Sequence, residues 1–304
     1  MNKDSKIYIA GHRGLVGSAL HSRLVADGYT NLIFRTSTEM DLTEQVLVSQ
    51  FFEKEKPEYV FLIAARAGGV GALNTYKADS IHINLMIQDN VIHNSYIHGV
   101  KKLLFLGSNC VYPRLANEPL KEEYLLAGQL EPTTEYYAVA KIAGIKMCEA
   151  YRLQYGCNFI TALPVNMYGA NDKDDLETAH VVAALLSKFK TAKKLNGSTV
   201  EIWGTGNARR EFMHVNDLIE AMLFLMETYN ELESVNVGTG KDTSIKELAE
   251  LIKKISGYKG ALEFNYNKPD GVNSKVFSVD KIHELGWHHK IELKEGLTEV
   301  WENL

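Results

Sequence analysis

The sequence predicts an α/β fold, a doubly wound parallel sheet followed by a smaller α+β lobe. Short apolar runs alternate with helical stretches over the first half of the chain, and this alternation loosens after about residue 170. The chain has 304 residues, of which 45% are hydrophobic and 23% charged, enough for one body with two lobes. We predict a sheet domain over 1–168 and a mainly substrate-binding lobe over 169–304, with segments near 207–240 returning to the sheet domain.

The elements follow from the pattern in order. Apolar or β-branched runs predict strands at 6–10, 31–34, 59–64, 102–107 and 158–163. Helical stretches lie between or after these runs, near 15–26, 43–55, 75–98 and 137–155. Because each helix returns the chain to the start of the next strand, the strands are expected to run parallel. The remainder predicts helices at 180–193, 216–228 and 244–256 and short strands in VEIW and EFMHV.

Composition excludes several classes of protein. The net charge is −5, the pI is about 6.1, and basic residues are interspersed with acids, which argues against nucleic acid as a partner. No apolar run approaches the length of a membrane span, and the N-terminus runs straight into a strand pattern, so we expect a cytoplasmic protein without a membrane partner. The three cysteines show no metal-ligand spacing, which predicts reduced thiols and no metal site.

A glycine-rich loop follows the first predicted strand. Gly11, Gly14 and Gly17 stand between that strand and the first helix. Glycines at these points permit a tight turn, let backbone N–H groups approach a pyrophosphate, and allow close packing of helix on sheet. The context predicts a Rossmann-type dinucleotide site.

The residues after the second strand bear on the choice of dinucleotide. An acid there binds the ribose hydroxyls of NAD, whereas a cation suits the 2′-phosphate of NADP. Arg35 occupies this place and is followed by Thr36 and Ser37, which favours NADP(H). Glu39 and Asp41 lie nearby and leave NAD open.

A serine, a tyrosine and a lysine form the candidate reactive set. Ser108 follows the fourth predicted strand, and Tyr137 and Lys141 lie one helical turn apart on one face of the next helix. A tyrosine of pKa about 10 needs a neighbouring cation to act as an acid near neutral pH, and Lys141 supplies one. Ser108 can donate a second hydrogen bond to a ketone oxygen. Cys110 follows two residues after Ser108, and strand alternation would point both side chains the same way.

Several stretches resemble one family nearly end to end. They are GHRGLVGSA (11–19), AARAGGVGALNTYKADSIHINLMIQDNVIH (64–93), LGSNCVYP (106–113), KEEYLLAGQLEPTTEYYAVAKIAGIKMCEAY (121–151), WGTGNARREFMHVNDL (203–218) and NVGTGKDTSIKELAELI (236–252). They resemble the GDP-L-fucose synthase family of extended short-chain dehydrogenases/reductases. This resemblance implies an NADPH-dependent C4-keto reductase of a GDP-4-keto-6-deoxy sugar in GDP-deoxysugar biosynthesis, and a homodimer formed through two long helices per chain.

The resemblance also implies roles for individual residues. Cys110 matches the family's base and His180 its acid in C3/C5 epimerisation, while Ser108 and Tyr137 would stabilise the enolate at O4. The implied cofactor contacts are Gly11, Arg13, Gly14, Leu15, Val16, Gly17, Arg35, Asp41, Ala64, Ala65, Lys141, Pro164, Asn166, Met167 and His180. The implied substrate contacts are Lys188, Trp203, Arg210 and Asp270.

The sequence departs from the family pattern near the sugar side. Three family motifs are replaced by other sequences here: DKDDLETAH (172–180), YGA (168–170) and PDGVNSK (269–275). In addition, Lys188 stands where the family has an arginine. A hexose or a heptose substrate, with or without epimerisation, therefore stays open. A nucleotide-sugar 4-epimerase or dehydratase is a further alternative, although SNC (108–110) offers no acidic pair for a dehydratase and Arg35 disfavours bound NAD. A non-enzymatic NADP sensor would be expected to have lost the Ser–Tyr–Lys set, which is intact here.

Overall fold

The protein is a mixed α/β structure. A computed structural model describes residues 1–170, 172, 179–268 and 274–304. The strands are β1 Ile7–Ala10, β2 Leu32–Ile33, β3 Tyr59–Leu62, β4 Lys102–Leu106, β5 Phe159–Pro164, β6 Asn166–Tyr168, β7 Thr199–Trp203, β8 Arg209–His214, β9 Val235–Val237, β10 Asp242–Ser244 and β11 Ala261–Asn265. The helices are α1 Leu15–Ala26, α2 Gln45–Glu55, α3 Val70–Thr75, α4 Lys77–Ile97, α5 Glu135–Tyr155, α6 Val181–Lys194, α7 Val215–Thr228, α8 Ile245–Ser256, α9 Asp280–Glu284 and α10 Leu293–Glu302.

A parallel sheet lies at the centre, with the strand order β2-β1-β3-β4-β5-β9. Strands β1, β4 and β5 are buried along their whole length, as expected for strands covered by helices on both faces. Because all these strands are parallel, their carboxyl ends meet at one edge of the sheet. The predicted doubly wound parallel sheet is confirmed.

Helices α4 and α5 pack closely against each other and against the sheet. Gln88 Nε2 on α4 donates a hydrogen bond to the carbonyl oxygen of Ala140 on α5, at 2.5 Å. Gly144 makes this packing possible, because a Cβ atom there would lie 2.5 Å from the Phe105 ring of β4. The start of α5 is thereby fixed against the carboxyl end of β4.

The second half of the chain builds two smaller sheets and a second core. Strands β10, β8 and β6 form one sheet, and β11 and β7 form the other. The second core is made by α6, α8, α10 and the strands between them; its fully buried members include Phe189, Ile202, Leu248 and Leu297. Strand β9, in contrast, joins the parallel sheet beside β5. The predicted division at residue 168 stays a prediction.

The structure differs from the predicted elements in three ways. The helix expected over 75–98 is α4, but the short helix α3 just before it was not predicted; Tyr76, with φ −100° and ψ 53°, separates the two helices. Strands β6, β9, β10 and β11 were not predicted, since they are three to five residues long and carry little periodicity. Helices α9 and α10 were also missed, because five and ten residues give only one to three turns of apolar pattern.

A buried lysine joins the central sheet to α7. Lys102 at the start of β4 is only 4% exposed, and its Nζ atom donates to three backbone carbonyl oxygens at the end of α7 and just beyond it. These oxygens belong to Leu225 (2.9 Å), Met226 (2.9 Å) and Tyr229 (2.6 Å). The ammonium thus caps the carboxyl end of the helix. Burial lowers the pKa of Lys102 to about 8.

Among the described residues, no helix combines the length and apolarity needed to cross a bilayer. The same part of the chain contains no group of three or more His, Cys, Asp and Glu side chains placed to hold a metal ion.

Candidate active site

The glycine loop forms a turn that only glycine fits. Gly11 has φ +96°, in the left-handed region, and a Cβ atom there would lie 2.7 Å from the backbone nitrogen of Ala64 after β3. A Cβ atom on Gly17 would lie 2.0 Å from the carbonyl oxygen of Gly11. The first turn of α1 is therefore packed closely against the loop that follows β1.

The N-terminus of α1 is open to a phosphate. Gly14 is the residue that precedes the helix, and it has no side chain with which to cap the first N–H groups. These groups, together with the positive end of the helix dipole, suit a pyrophosphate. Arg13 and Gly14 are exposed, and Leu15 is half-buried. Gly11, Gly14 and Gly17 thus fit a dinucleotide, although Val16 is buried in the core rather than open to it.

Arg35 lies at the end of β2 but is held by other groups. Its Nη2 atom forms an ion pair with Glu55 Oε1 at 2.8 Å, and Nη1 donates to the carbonyl oxygen of Phe34 at 2.8 Å. The hydroxyl of Thr36, the next residue, donates to Glu39 Oε2 at 2.7 Å. Asp41 Oδ1 accepts from the hydroxyl and the N–H of Thr43. A 2′-phosphate bound here would have to displace the Glu55 carboxylate from the Arg35 guanidinium.

The chain leaves β4 in a short turn that carries Ser108 and Cys110. Strand β4 ends at Leu106, and Asn109–Val111 form a 3₁₀ turn, so the alternation assumed for Ser108 and Cys110 was wrong. Ser108 Oγ instead accepts a hydrogen bond from the Cys110 backbone N–H at 3.2 Å. The Cys110 thiol is half-buried and points toward Asn109 Oδ1, 3.6 Å away.

Tyr137 and Lys141 lie beside this turn, on the first two turns of α5. Burial and the nearby charge of a Cys110 thiolate raise the pKa of Tyr137, while a hydrogen bond with Ser108 lowers it. Lys141 is 2% exposed, and burial lowers its pKa to about 7. Its Nζ atom donates to the Leu106 carbonyl oxygen at 2.7 Å and lies 5.9 Å from the centre of the Tyr137 ring. The structure therefore places Ser108, Cys110, Tyr137 and Lys141 together.

Sequence reasoning expected Lys141 to lower the pKa of Tyr137. In this structure burial is the main influence on the pKa of both side chains. The Lys141 ammonium donates to the backbone carbonyl of Leu106 in β4. A bound ribose and ketone would replace part of the protein environment around both side chains.

The other predicted cofactor residues follow the carboxyl ends of the strands. Ala64 and Ala65 come after β3, and the Ala64 N–H donates to the carbonyl oxygen of Ala10 at the end of β1, at 2.8 Å. Pro164 ends β5, and Asn166 and Met167 lie in β6. They share the sheet edge with the glycine loop and Ser108.

Two predicted substrate residues form a separate cluster on the C-terminal lobe. Lys188 Nζ lies 5.2 Å from the centre of the Trp203 ring, and Lys268 Nζ lies 4.7 Å from it. Glu201 accepts from Trp203 Nε1 at 3.0 Å, and its backbone oxygen accepts from Lys188 at 2.8 Å. Trp203 as a whole is 45% exposed, although both lysines lie over its ring.

The remaining predicted residues are placed as follows. His180 is exposed and immediately precedes α6, eight residues before Lys188. Arg210 lies in β8, and its Nη1 atom donates to the Arg209 carbonyl oxygen at 2.6 Å. Asp270 lies outside the described residues, as does most of the segment 172–180.

Three residues missed from the sequence connect these parts. Asn109 Nδ2 donates to Asn166 Oδ1 at 3.2 Å, and Asn166 Nδ2 donates to the carbonyl oxygen of Glu211 at 3.1 Å. The buried Glu211 carboxylate accepts from the N–H groups of Thr239, Gly240 (2.7 Å) and Phe277 (2.9 Å). Lys275, two residues before Phe277, is 9% exposed and donates to the Asn109 carbonyl oxygen at 3.2 Å. Lys275 is the last residue of the stretch 269–275, which also contains the predicted substrate residue Asp270. This closeness in sequence was the signal that could have pointed to Lys275.

A family model described as the NAD dependent epimerase/dehydratase family matches residues 7–238. The chain belongs to this family. Within it, the chain is 53% identical to a putative GDP-L-fucose synthase 2 of Arabidopsis thaliana, over 99% of this chain and 92% of the relative. The predicted resemblance to the GDP-L-fucose synthase family is confirmed.

Solved structures of the same family superpose over nearly the whole chain. A GDP-6-OMe-4-keto-L-xylo-heptose reductase from C. jejuni is 42% identical, with a TM-score of 0.95 and coverage of 99% of this chain and 98% of that one. A GDP-D-glycero-L-gluco-heptose synthase from the same organism, determined in the presence of NADPH, is also 42% identical, with a TM-score of 0.90 and the same coverage. This family member confirms the prediction of NADP(H) as the cofactor.

Proposed function

We propose that the protein is an NADPH-dependent oxidoreductase that reduces the C4 ketone of a GDP-4-keto-6-deoxy sugar, for the biosynthesis of GDP-deoxysugars used in surface glycans. The observation that carries this proposal is the hydrogen-bonded pair of Ser108 and Tyr137, with Lys141 one helical turn further on, at the same sheet edge as the glycine loop. The GDP-L-fucose synthase relatives of this chain, and the GDP-heptose reductase whose structure is similar to it, support a GDP-linked sugar as the substrate.

The residues of this chain hold the cofactor and the ketone in defined ways. The N-terminus of α1 would bind the pyrophosphate, Arg35 the 2′-phosphate and Lys141 the nicotinamide ribose. NADPH supplies the hydride for C4. Tyr137 donates a proton to O4, and Ser108 donates a second hydrogen bond that stabilises the developing charge there. Because Tyr137 is buried, its hydroxyl is shielded from bulk water and its pKa stays above neutral, so it is protonated when the ketone binds.

Epimerisation at C3 and C5 is a further part of the proposal. The C4 ketone acidifies the protons on both neighbouring carbons, and Cys110 lies two residues from the Ser108 hydroxyl that would bind O4. Cys110 would remove such a proton, and His180 would return one from the opposite side of the sugar. Ser108 and Tyr137 would hold the enolate oxygen in between.

The nucleotide is proposed to bind on the C-terminal lobe. Trp203, which is partly exposed, would stack on the guanine, and Lys188 beside it would contribute a positive charge near the diphosphate. Arg210, which lies in β8, is the proposed second diphosphate contact on the family pattern. Asp270 is proposed to contact the nucleoside, and this part of the proposal rests on the family pattern alone.

A C4 reductase of a GDP-4-keto-6-deoxy-heptose is the second candidate. Two structures named for GDP-heptose substrates are 42% identical and cover 99% of this chain. The segment 172–180, where this sequence departs from the family pattern, lies mostly outside the described residues.

The assembly is proposed to be a homodimer formed through α4 and α5. These helices expose several large apolar side chains: Ile97, Tyr136, Val139, Leu153 and Tyr155. Tyr96 on α4 stacks on Tyr155 of α5 with ring centres 4.2 Å apart, which gives the two helices a shared aromatic surface. Light scattering should give twice the chain mass, and Leu153→Glu should give the monomer. We also propose a cytoplasmic location, with no nucleic-acid or membrane partner.

The deciding experiment is incubation with GDP-4-keto-6-deoxymannose in D₂O, with and without NADPH. Loss of nicotinamide absorbance together with deuterium at C3 and C5 supports a bifunctional enzyme. NADPH consumption without deuterium refutes epimerisation and leaves the reductase. If neither the hexose nor the corresponding heptose consumes NADPH, the reductase proposal is refuted.

A further inference from the structure

Lys275 is a buried cation against the turn that carries Cys110. It is 9% exposed, and its Nζ atom donates to the carbonyl oxygen of Asn109, which is bonded directly to the Cys110 nitrogen, at 3.2 Å. An ammonium group is costly to bury unless it finds acceptors or opposite charge. Its placement next to a half-buried thiol therefore needs an explanation beyond packing.

The charges around Lys275 identify the thiol as one of its electrostatic partners. Burial lowers the pKa of Lys275, and a Cys110 thiolate raises it. Arg210 lowers this pKa by repulsion, whereas Glu131 and Glu118 raise it. Attraction between an ammonium and a thiolate is mutual, so the cation that gains from the thiolate also stabilises it.

The backbone holds Lys275 where this attraction can act. Phe277, two residues further on, donates its N–H to Glu211 at 2.9 Å, and Leu120 donates its N–H to the Val276 carbonyl oxygen at 2.7 Å. These two hydrogen bonds fix the backbone just after Lys275. The Asn109 side chain is fixed in turn by Asn166 at 3.2 Å.

We propose that Lys275 is a positioning residue for Cys110, whose ammonium fixes the Asn109–Val111 turn and favours the thiolate form of the cysteine. This inference rests on the proposed function, in which Cys110 is the base. The thiolate accepts a proton from the carbon beside the C4 ketone, and the electrons of that C–H bond move to O4, where Ser108 and Tyr137 stabilise the enolate. Lys275 keeps its own proton throughout and acts only through charge and its hydrogen bond.

The test is a pH titration of thiol reactivity in the free enzyme, without substrate or cofactor. Iodoacetamide alkylation is followed at each cysteine by peptide mass spectrometry in the wild type, Lys275→Gln and Lys275→Arg. Glutamine keeps a donor for the Asn109 carbonyl but removes the charge, and arginine keeps the charge. We expect the Cys110 midpoint to rise by about one pH unit in Lys275→Gln, which lowers the alkylation rate at pH 7 about tenfold, and to stay near the wild-type value in Lys275→Arg.

Cys157 provides an internal control, because it is half-buried in another part of the chain and its alkylation should not change. An unchanged Cys110 midpoint in folded Lys275→Gln overturns the proposal. The titration uses no sugar, so its result is independent of the proposed function. An enzyme without deuterium uptake at C3 and C5 but with a shifted Cys110 midpoint would refute epimerisation alone.

Discussion

The carboxylate of Glu211 accepts a hydrogen bond from the backbone N–H of Phe277, 2.9 Å away, and so ties β8 to the segment that carries Lys275. The same carboxylate accepts from the Gly240 N–H at 2.7 Å. One buried side chain thereby joins β8 to two segments distant in sequence, at Gly240 and Phe277. Burial raises the pKa of Glu211, and its hydrogen bonds oppose that rise.

Replacing this carboxylate should loosen the substrate side of the site. In Glu211→Gln an amide NH₂ must face an N–H donor, so one hydrogen bond is lost and a buried donor is left unpaired. We expect a loss of about 1–3 kcal/mol in the free energy of unfolding and a higher KM for the GDP-sugar. Urea denaturation and steady-state kinetics measure the two effects. Glu250→Gln on the exposed face of α8 is the control, and equal stability of the two variants would contradict the role of Glu211.

Tyr137→Phe should abolish ketone reduction while leaving the fold intact. The change removes only the hydroxyl that bonds Ser108 and that is proposed to donate to O4. We expect kcat to fall by roughly 10²–10⁴-fold, the range for loss of a general acid, with NADPH binding retained by fluorescence titration. Tyr136→Phe is the matched control, since Tyr136 is the neighbouring, exposed tyrosine. A similar loss in both variants would argue against Tyr137 as the proton donor.

Arg35→Ala should reduce the preference for NADPH over NADH. The guanidinium is the proposed contact for the 2′-phosphate, and charge-assisted hydrogen bonds contribute about 1.5–3 kcal/mol. We therefore expect KM for NADPH to rise roughly 10–100-fold, with little change for NADH. Arg23→Ala, which removes an exposed arginine paired with Asp27 on α1, should leave both values unchanged. If NADPH and NADH are affected equally, Arg35 does not contact the 2′-phosphate.

Lys102→Met should destabilise the fold without reaching the active site. It leaves the carbonyl oxygens of Leu225, Met226 and Tyr229 without their shared donor. We expect a loss of about 2 kcal/mol, the scale for buried groups left unpaired. The neighbouring Lys101→Met removes an exposed lysine paired with Glu58, and its stability should stay within about 0.5 kcal/mol of the wild type. Comparable thermal midpoints for the two variants would show that the cap contributes little.

Lys141 should make the stability of the cofactor-free protein depend on pH. Burial lowers its folded-state pKa from 10.5 to about 7, so between these values the unfolded chain binds more protons than the folded one. The cost of burying the charge is fully present below pH 7 and disappears as the pH rises toward 10, at about 1.4 kcal/mol per pKa unit. The difference in melting temperature between Lys141→Met and the wild type should therefore be most positive at pH 6 and decline by pH 9.5. Lys146→Met, an exposed lysine on the same helix, should show no such trend.

Local pattern was sufficient to predict the central sheet and the placement of Ser108, Tyr137 and Lys141 close together. Strands β1, β3, β4 and β5 are continuous apolar runs, and a glycine loop or a strand-end serine has a fixed place relative to such a run. The contributions of Lys275 and Glu211 could not be predicted in this way. Both act through hydrogen bonds to backbone groups more than 25 residues away, and no spacing along the chain encodes such contacts.

The orientation of a side chain was equally inaccessible from spacing. Ser108 and Cys110 were expected to share a strand face, but the strand ends two residues before Ser108. The Ser108 hydroxyl accepts from the Cys110 N–H, so backbone hydrogen bonding rather than alternation sets the position of the thiol. Likewise, the ion pair of Arg35 with Glu55 depends on α2 returning beside β2.

The late entry of β9 into the sheet has a consequence for synthesis on the ribosome. Strand β5 is complete at residue 164, yet its neighbour in the sheet is not made until residues 235–237, and the three acceptors of Lys102 are made only shortly before that. Until then the nascent chain has an uncovered edge on β5, and Lys102, which is buried in the folded protein, lacks its carbonyl acceptors. Such a state is prone to aggregation. The parallel sheet can therefore be completed only after about four-fifths of the chain has been translated, and slow translation of this stretch would prolong the exposure of that edge.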